Sequence, residues 1–419
     1  MLTPFVAEVN AVHKALESVI EPTPLQRNQY LSDLYGANIW LKREDLSPVR
    51  SYKVRGAYAF LTEALAENPD HELFVCSSAG NHAQGFAYAC HAYGKKGIVF
   101  MPVTTPQQKI MKTKSFGAPF VEIRLFGDGF DDANRAALDY CADNDGVMVP
   151  PFDSPTIIKG QATVGKEILD QLTPDNKPDC MILPVGGGGL AAGVTRYCQD
   201  NGYSGSFVFV EPDGAPSLYS SLVAGNRVQL DNVDNFVDGA AVGQIGELNF
   251  QQLKQFAPQQ VVRAPTDGVC ETMLEMLNVE GIVLEPAGAL TVDALKRLPA
   301  DVSRGKTVVC VTSGGNFDFE RLPEVKERAL RSAGLKKYFV IGLPQRPGAL
   351  KDFLALLGPD DDITRFEYLK KSARNFGSVL LGVETSNAKN FVELCLRFDD
   401  SEIRWQDITD DELVANLIV

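Results

Sequence analysis

The chain has 419 residues, enough for two or three domains with substantial cores. Its composition, 45% apolar and 22% charged, excludes a disordered chain, which would be poorer in apolar side chains and richer in charge. With 54 acidic against 40 basic residues the formal net charge is -14, which argues against nucleic acid or an anionic membrane surface as the main partner.

No run of about 18 apolar residues is present, so no membrane span is predicted. The least polar stretch, residues 180–194, is broken by Pro184 and four consecutive glycines. The N-terminal segment carries Glu8 and Glu17 inside a helical period. It lacks the basic start and compact apolar region of a secretory signal, so a cytoplasmic location is expected. The cysteines are scattered without a CxxC pair and read as reduced thiols. Only His13, His71, His82 and His91 are present, which argues against His-rich zinc chemistry.

In chain order, the first string with chemical content is SYKVRGA, residues 51–57. It follows LKREDLSPVR and precedes the helical pattern AYAFLTEALAE, so Lys53 lies where a loop turns into a helix. The positive end of a helix dipole, together with burial, would lower its pKa, as a Schiff-base or general-base lysine requires. The competing reading is a solvated lysine in a basic patch with Arg50 and Arg55.

The strand LFVCS leads into Ser77, Ser78, Ala79, Gly80 and Asn81, followed by His82 and a helical pattern. This turn offers hydroxyls, bare amides and a carboxamide together, which suits a carboxylate. The alternative is an ordinary N-cap by Ser78 or Asn81. His82 reads as structural.

Strand and helix patterns then alternate. KGIVFMP precedes TPQQKIMKTKSFG, PFVEIRLF precedes FDDANRAALDYCADND, and DCMILPV precedes GGGGLAAGVTRYCQDNG; GSFVFVEP and KTVVCVTSGGN follow. This rhythm predicts right-handed βαβ units and mainly parallel sheets covered on both faces.

Gly186, Gly187, Gly188 and Gly189 fall between the strand DCMILPV and a helix. Without Cβ atoms, the amides at the helix start become an anion cradle, and a phosphate is the natural ligand. A nicotinamide site is a rival, because the glycine spacing fits the dinucleotide fingerprint and Glu211 follows about 25 residues later. A nucleotide P-loop is excluded, since no GK[ST] follows. Thr312, Ser313, Gly314, Gly315 and Asn316 form a third polar turn at the C-terminal end of a strand, where open α/β sheets bind ligands.

A second region begins near Leu335. KKYFVIGLP reads as a strand and RPGALKDFLALLG as a helix with Pro347 near its start. ITRFEYLKK and FGSVLLGVETS read as strands, NAKNFVELCLRF as a helix capped by Asn387, and EIRWQDIT as a last strand. The order β-α-β-β-α-β is the ferredoxin-like split pattern.

The strings PTPLQRNQYLS, WLKREDLSPVRSYKVRGAY, SSAGNHAQGFA, GGGGLAAG, EPAGA and TSGGN, in this order over about the first 320 residues, resemble the fold-type II pyridoxal-phosphate enzymes. Within them they resemble the threonine dehydratase/serine dehydratase group. Tyr52 stands where that pattern often has Phe. The resemblance implies an α/β, two-lobed, tryptophan synthase β-like catalytic part with parallel sheets over residues 1–330. Its smaller lobe would be inserted at about 45–150.

The resemblance also implies roles. Lys53 would hold pyridoxal 5'-phosphate as a Schiff base and act as base on the substrate α-carbon. Gly186, Gly187, Gly188, Gly189 and Leu190 would bind its phosphate, Asn81 its 3′ oxygen and Ser313 its pyridine nitrogen. Ser77, Ser78, Ala79, Gly80 and Asn81 would bind the substrate carboxylate. A cation beside the cofactor would use Glu211 and the Ala215 carbonyl; Ser217 stands where relatives often have an acidic residue. A surface or ribose-like role for Glu211 stands beside that reading.

Residues 335–419 resemble the ACT-like regulatory domain of biosynthetic threonine dehydratases. The implied reaction is dehydration and deamination of L-threonine to 2-oxobutanoate and ammonia, the first step of isoleucine biosynthesis. Isoleucine would inhibit and valine relieve, through a conformational equilibrium. A homo-oligomer, a tetramer, is expected because the effector module works by pairing. The alternatives are a serine dehydratase, serine racemase or hydroxyaspartate dehydratase on the same scaffold, a nicotinamide oxidoreductase, and a non-catalytic amino-acid sensor.

Overall fold

The computed structural model describes residues 3–172, 177–369, 376–401 and 403–411. The chain divides into two compact units, Met1–Asp318 and Phe319–Val419.

In the first unit the strands are β1 Leu25–Arg27, β2 Asn38–Arg43, β3 Leu73–Ser77, β4 Lys96–Met101, β5 Val121–Leu125, β6 Val147–Met148, β7 Cys180–Pro184, β8 Ser206–Pro212, β9 Val261–Ala264 and β10 Thr307–Thr312. They build two sheets. The larger runs β1-β2-β10-β7-β8-β9 and is parallel except for its edge strand β1. The smaller runs β5-β4-β3-β6 and is parallel throughout. All of the smaller sheet's strands fall in sequence between β2 and β7 of the larger one.

The central strand β7 is buried at every position, as a parallel strand covered on both faces must be. Helices Pro155–Gln171 and Gly189–Asp200 pack Val164, Ile168, Leu190 and Val194 against it. A separate core cluster lies at the smaller sheet, in which Val54, Ala57 and Leu61 of helix Lys53–Glu67 meet Phe86 and Cys90 of helix Asn81–Tyr93. The strands β1, β2, β6 and β9 have no counterpart among the predicted units. They are short or lie outside the strand-helix rhythm that reveals the others. No helix among the described residues is long and apolar enough to cross a membrane.

The second unit has strands β11 Lys336–Pro344, β12 Asp362–Leu369, β13 Phe376–Glu384 and β14 Arg404–Asp407 in the order β12-β13-β11-β14, all antiparallel. Helices Ala349–Leu354 and Lys389–Asp400 complete the predicted order. Phe339, Phe353, Phe391 and Phe398 form the core, with Phe339 and Phe398 edge-on at 5.8 Å. The division at Asp318 falls earlier than the expected boundary near residue 330. Helix Leu322–Ser332 belongs with this unit because Lys336 of β11 pairs with Glu327, and Arg331 donates to the Thr409 carbonyl at 2.6 Å.

Two local expectations need correction. Asn387 is not the cap of the last helix. Ala388 occupies that position, and the Asn387 side chain accepts instead from the Lys389 N–H at 3.1 Å. The helix predicted over RPGALKDFLALLG has only six residues, starting after Gly348 at φ 85°. Of the predicted strands, Lys370, Lys371 and Glu402 lie outside the described residues.

Candidate active site

Lys53 opens the helix Lys53–Glu67, and the loop before it is tied by its own side chains. Ser47 Oγ accepts from the Ser51 N–H at 2.9 Å and donates to the Ser51 carbonyl at 2.8 Å. Two bonds then splice this loop to the turn after β10. The Tyr52 N–H donates to the Ser313 carbonyl (3.2 Å), and the Gly315 N–H donates to the Arg50 carbonyl (2.9 Å). Arg50 is held there at a left-handed φ of 59°, at a cost of about 1–2 kcal/mol for an L-residue.

The partly buried Lys53 Nζ donates to the Pro151 carbonyl at 2.9 Å, with the Tyr52 and Phe152 ring centroids 5.5 and 5.9 Å away. Desolvation brings its pKa down to about 8, against the charge of Glu285, which favours the protonated form. The basic-patch reading of this lysine fails, since neighbouring Arg55 is 1% exposed and paired with Glu44 and Glu167.

The glycine loop after β7 meets the same segment. Gly188, at φ 89°, caps helix Gly189–Asp200. Its neighbours are glycine for another reason, proximity. A Cβ on Gly187 would strike the Phe152 ring, one on Gly189 would lie 2.9 Å from the Phe152 carbonyl oxygen, and one on Gly186 would lie 2.9 Å from Ala240 Cα. Among the described residues, the N–H groups of Gly186, Gly187, Gly188, Gly189 and Leu190 donate to no protein acceptor. A run of unpaired amides at a helix start fits a phosphate. Phe152 therefore touches both this loop and the surroundings of Lys53.

Helix Asn81–Tyr93 presses on Lys53 from another side, where a Cβ on Gly85 would lie 2.9 Å from the Lys53 carbonyl carbon. The N-cap readings of Ser78 and Asn81 are corrected here. Gly80 takes the cap position, and Ser78 Oγ accepts the Gly80 N–H at 3.2 Å. The Asn81 amide is drawn elsewhere. Its Nδ2 donates to Glu285 Oε1 at 2.6 Å, and its Oδ1 accepts from Asn316 Nδ2 at 2.8 Å.

Among the described residues the Asn81, His82 and Ala83 N–H groups reach no protein acceptor, and the buried Ser77 hydroxyl has no partner. Both features fit a carboxylate ligand. His82 is structural: its Nε2–H reaches the Val149 carbonyl at 3.0 Å, and burial, aided by the Lys53 charge, takes its pKa down to about 3.

Ser313 is buried beside the Lys53 loop, and its hydroxyl donates to the Ala287 carbonyl at 3.1 Å. Three residues here were not foreseen, Pro151, Phe152 and Glu285, and Asn316 was read only as a member of its polar turn. Glu285 and Asn316 stand inside EPAGA and TSGGN, but a string does not say which side chain turns inward. Burial, with the charge of Asp238, pushes the Glu285 carboxyl up to about 7. From helix Gln107–Gly117, Lys109 pairs with Asp238, and Lys112 Nζ lies 3.4 Å from Asn316 Oδ1.

Glu211 is fully buried, which contradicts its surface reading. Its two oxygens accept the Leu218 N–H (2.7 Å) and the Tyr219 N–H (2.8 Å), and Ser217 Oγ adds a third bond at 3.3 Å. It therefore caps helix Ser217–Ala224, and the carboxylate expected for a ribose is taken. The Ala215 carbonyl accepts the Ser217 N–H at 3.0 Å. Among the described residues, no group of three or more His, Cys, Asp or Glu is placed to hold a metal ion.

Residues 16–314 match the family described as "Pyridoxal-phosphate dependent enzyme", and residues 327–418 match "C-terminal regulatory domain of Threonine dehydratase". The chain is 43% identical over 415 residues to L-threonine dehydratase biosynthetic IlvA of Bacillus subtilis, covering 99% of this chain and 97% of that protein. It is 44% identical over 402 residues to the protein of the same name in Mycobacterium tuberculosis, covering 95% and 92%. Among solved structures, threonine deaminase isoform 2 from Solanum lycopersicum superposes with a TM-score of 0.71 at 34% identity, covering 78% of this chain and 92% of that one. Maize serine racemase, at 22% identity and a TM-score of 0.70 over 78% and 98%, shares the fold.

Proposed function

This chain belongs to the pyridoxal-phosphate-dependent enzymes and, within them, to the biosynthetic threonine dehydratases, and we propose that its site dehydrates and deaminates L-threonine to 2-oxobutanoate and ammonia. The observation that carries this reading is a lysine amine with a pKa near 8 and, among the described residues, no carboxylate in salt-bridge contact, set beside a loop of unpaired amides.

Pyridoxal phosphate, when bound, supplies an electron sink that acidifies the substrate α-carbon. The amides of Gly186, Gly187, Gly188, Gly189 and Leu190 would hold its phosphate, Asn81 its ring oxygen and Ser313 its pyridine nitrogen. A hydroxyl at that nitrogen leaves it less protonated than a carboxylate would, which suits β-elimination. Lys53 would carry the cofactor. Its free Nζ, neutral at mildly alkaline pH, would take the α-proton. Ser77, Ser78 and the free N–H groups at the start of helix Asn81–Tyr93 would orient the carboxylate.

We extend the proposal to the second unit, which would bind isoleucine, with valine opposing, between paired modules of a cytoplasmic tetramer. The test is 2-oxobutanoate formation from L-threonine with added pyridoxal phosphate, with and without isoleucine. Turnover suppressed by isoleucine is expected. Turnover indifferent to it removes the effector assignment, and no turnover overturns the substrate.

A further inference from the structure

We propose that Glu285 is a positioning residue for the cofactor: it aims the Asn81 amide at the cofactor ring, and its charge acts at a distance on the Lys53 nitrogen. This deepens the cofactor reading above and rests on it.

Glu285 occupies the cap position of helix Pro286–Asp293 and is 5% exposed. It is confined from several sides. Its N–H donates to the Gly314 carbonyl at 3.2 Å, and a Cβ on Gly314 would collide with Oε1. A Cβ on Gly239 would lie 3.8 Å from the same oxygen and 3.9 Å from Asn81 Nδ2.

The amide it faces belongs to a chain of bonds that all point one way. The Lys112 ammonium donates to Asn316 Oδ1 (3.4 Å). Asn316 Nδ2 donates to Asn81 Oδ1 and also to the Val49 carbonyl (2.8 Å). Asn81 Nδ2 donates to Glu285 Oε1 (2.6 Å). With a cation at one end and a carboxyl at the other, neither amide can turn over without losing its bonds. Asn81 is therefore left with one free hydrogen of fixed direction.

The charged and titratable groups facing Glu285 are Lys53 and Tyr52 at the first turn of helix Lys53–Glu67, Lys109 and Lys112 on helix Gln107–Gly117, and Asp238 on its loop. Burial and Asp238 favour its protonated form, while the Asn81 bond, Lys109 and Lys112 favour the charged one, so its charge changes near neutrality. A negative Glu285 favours the protonated Lys53 nitrogen. Removing that charge must lower the nitrogen's proton affinity.

The experiment compares wild type, Glu285→Gln, Asn81→Ala and the double variant, each stripped of cofactor and titrated with pyridoxal phosphate. Binding affinity and the pH midpoint of the visible band are read. Glu285→Gln should lower the midpoint by about one pH unit and weaken binding by about tenfold. In the Asn81→Ala background the same change should cost no further affinity, because the amide it aims is gone. Glu285→Asp, which keeps the charge, should hold the wild-type midpoint.

A Gln variant with wild-type midpoint and affinity overturns the proposal, as do additive losses in the double variant. Should the Gln variant not accumulate, a midpoint in Glu285→Asp lowered by about one pH unit also overturns it. None of these readouts needs turnover. A visible band that survives in Lys53→Ala would instead sink the cofactor reading itself.

Discussion

Lys53 and Arg55 stand two residues apart on one helix, about 200° apart around its axis, and meet opposite fates. Lys53 donates only to the Pro151 carbonyl, next to the Phe152 ring that packs on the glycine loop. Arg55 faces inward and is satisfied by Glu44 (2.8 and 2.9 Å), Glu167 (2.6 and 2.9 Å), Thr163 and Thr23 (3.1 Å each). Burial alone would lower the pKa of both. For Arg55 the two carboxylates overturn it and carry the guanidinium above its ordinary value; for Lys53 nothing comparable does.

Lys42, fully buried in β2, joins the cluster through Glu167 at 2.5 Å and the Thr23 carbonyl at 2.6 Å. The cluster thus binds residue 23, β2, the Lys53 helix and helix Pro155–Gln171 into one block. A charge withdrawn from water becomes an anchor when countered and a reagent when left alone. Here the anchor holds the helix that presents the reagent.

Substitutions can break this comparison in order of expected effect. Lys53→Ala should abolish the visible cofactor band and lower 2-oxobutanoate formation by at least about 10³-fold. Its thermal unfolding should stay near wild type, because no bonded charge loses its partner. Arg55→Met should do the reverse. Buried Glu44 loses its counterion and Glu167 keeps only Lys42 and His13, so denaturant unfolding should show a loss of about 3–5 kcal/mol.

Glu167 sharpens the contrast through pH. Burial works against its ionisation, but Arg55, His13 and Lys42 hold its carboxyl well below the usual range. A group depressed in the folded state stabilises above its unfolded pKa of about 4.5 and loses that contribution as pH falls below it. Wild type should therefore destabilise steeply on acidification, and Glu167→Gln, less stable at pH 7, should show a flatter acid limb in unfolding measured from pH 7 to 3. The smallest effect is expected one residue away. Lys166 pairs with the exposed Asp170 on the solvent face of that same helix. Lys166→Ala should cost only about 0.3–0.5 kcal/mol in the same unfolding assay.

Much of the fold was legible because its signals are local. The strand-to-helix rhythm exposed β3, β4, β5, β7, β8 and β10, and it exposed the order of the second unit. The short edge strands escaped, since a three-residue strand such as β1 has too few residues to show a period. The loop-to-helix start at Lys53, the glycine run and the TSGGN turn were legible for the same reason. They are contiguous strings whose backbone chemistry needs no distant partner.

The sequence by itself therefore determined the kind of site: an amine at a helix start, a bare-amide loop, polar turns at strand ends and a separate antiparallel module. Tertiary structure alone decided what each charge does. It turned Glu211, a candidate ribose or cation ligand, into a helix cap. It moved Asn81 from a cap to a partner of Glu285, 204 positions away. It set Phe152 against the glycine loop and gave Arg55 the two carboxylates that Lys53 lacks. The physical reason is that proton affinity and hydrogen-bond partnership depend on burial and on groups brought together from distant segments, whereas backbone conformation follows chiefly from neighbouring residues.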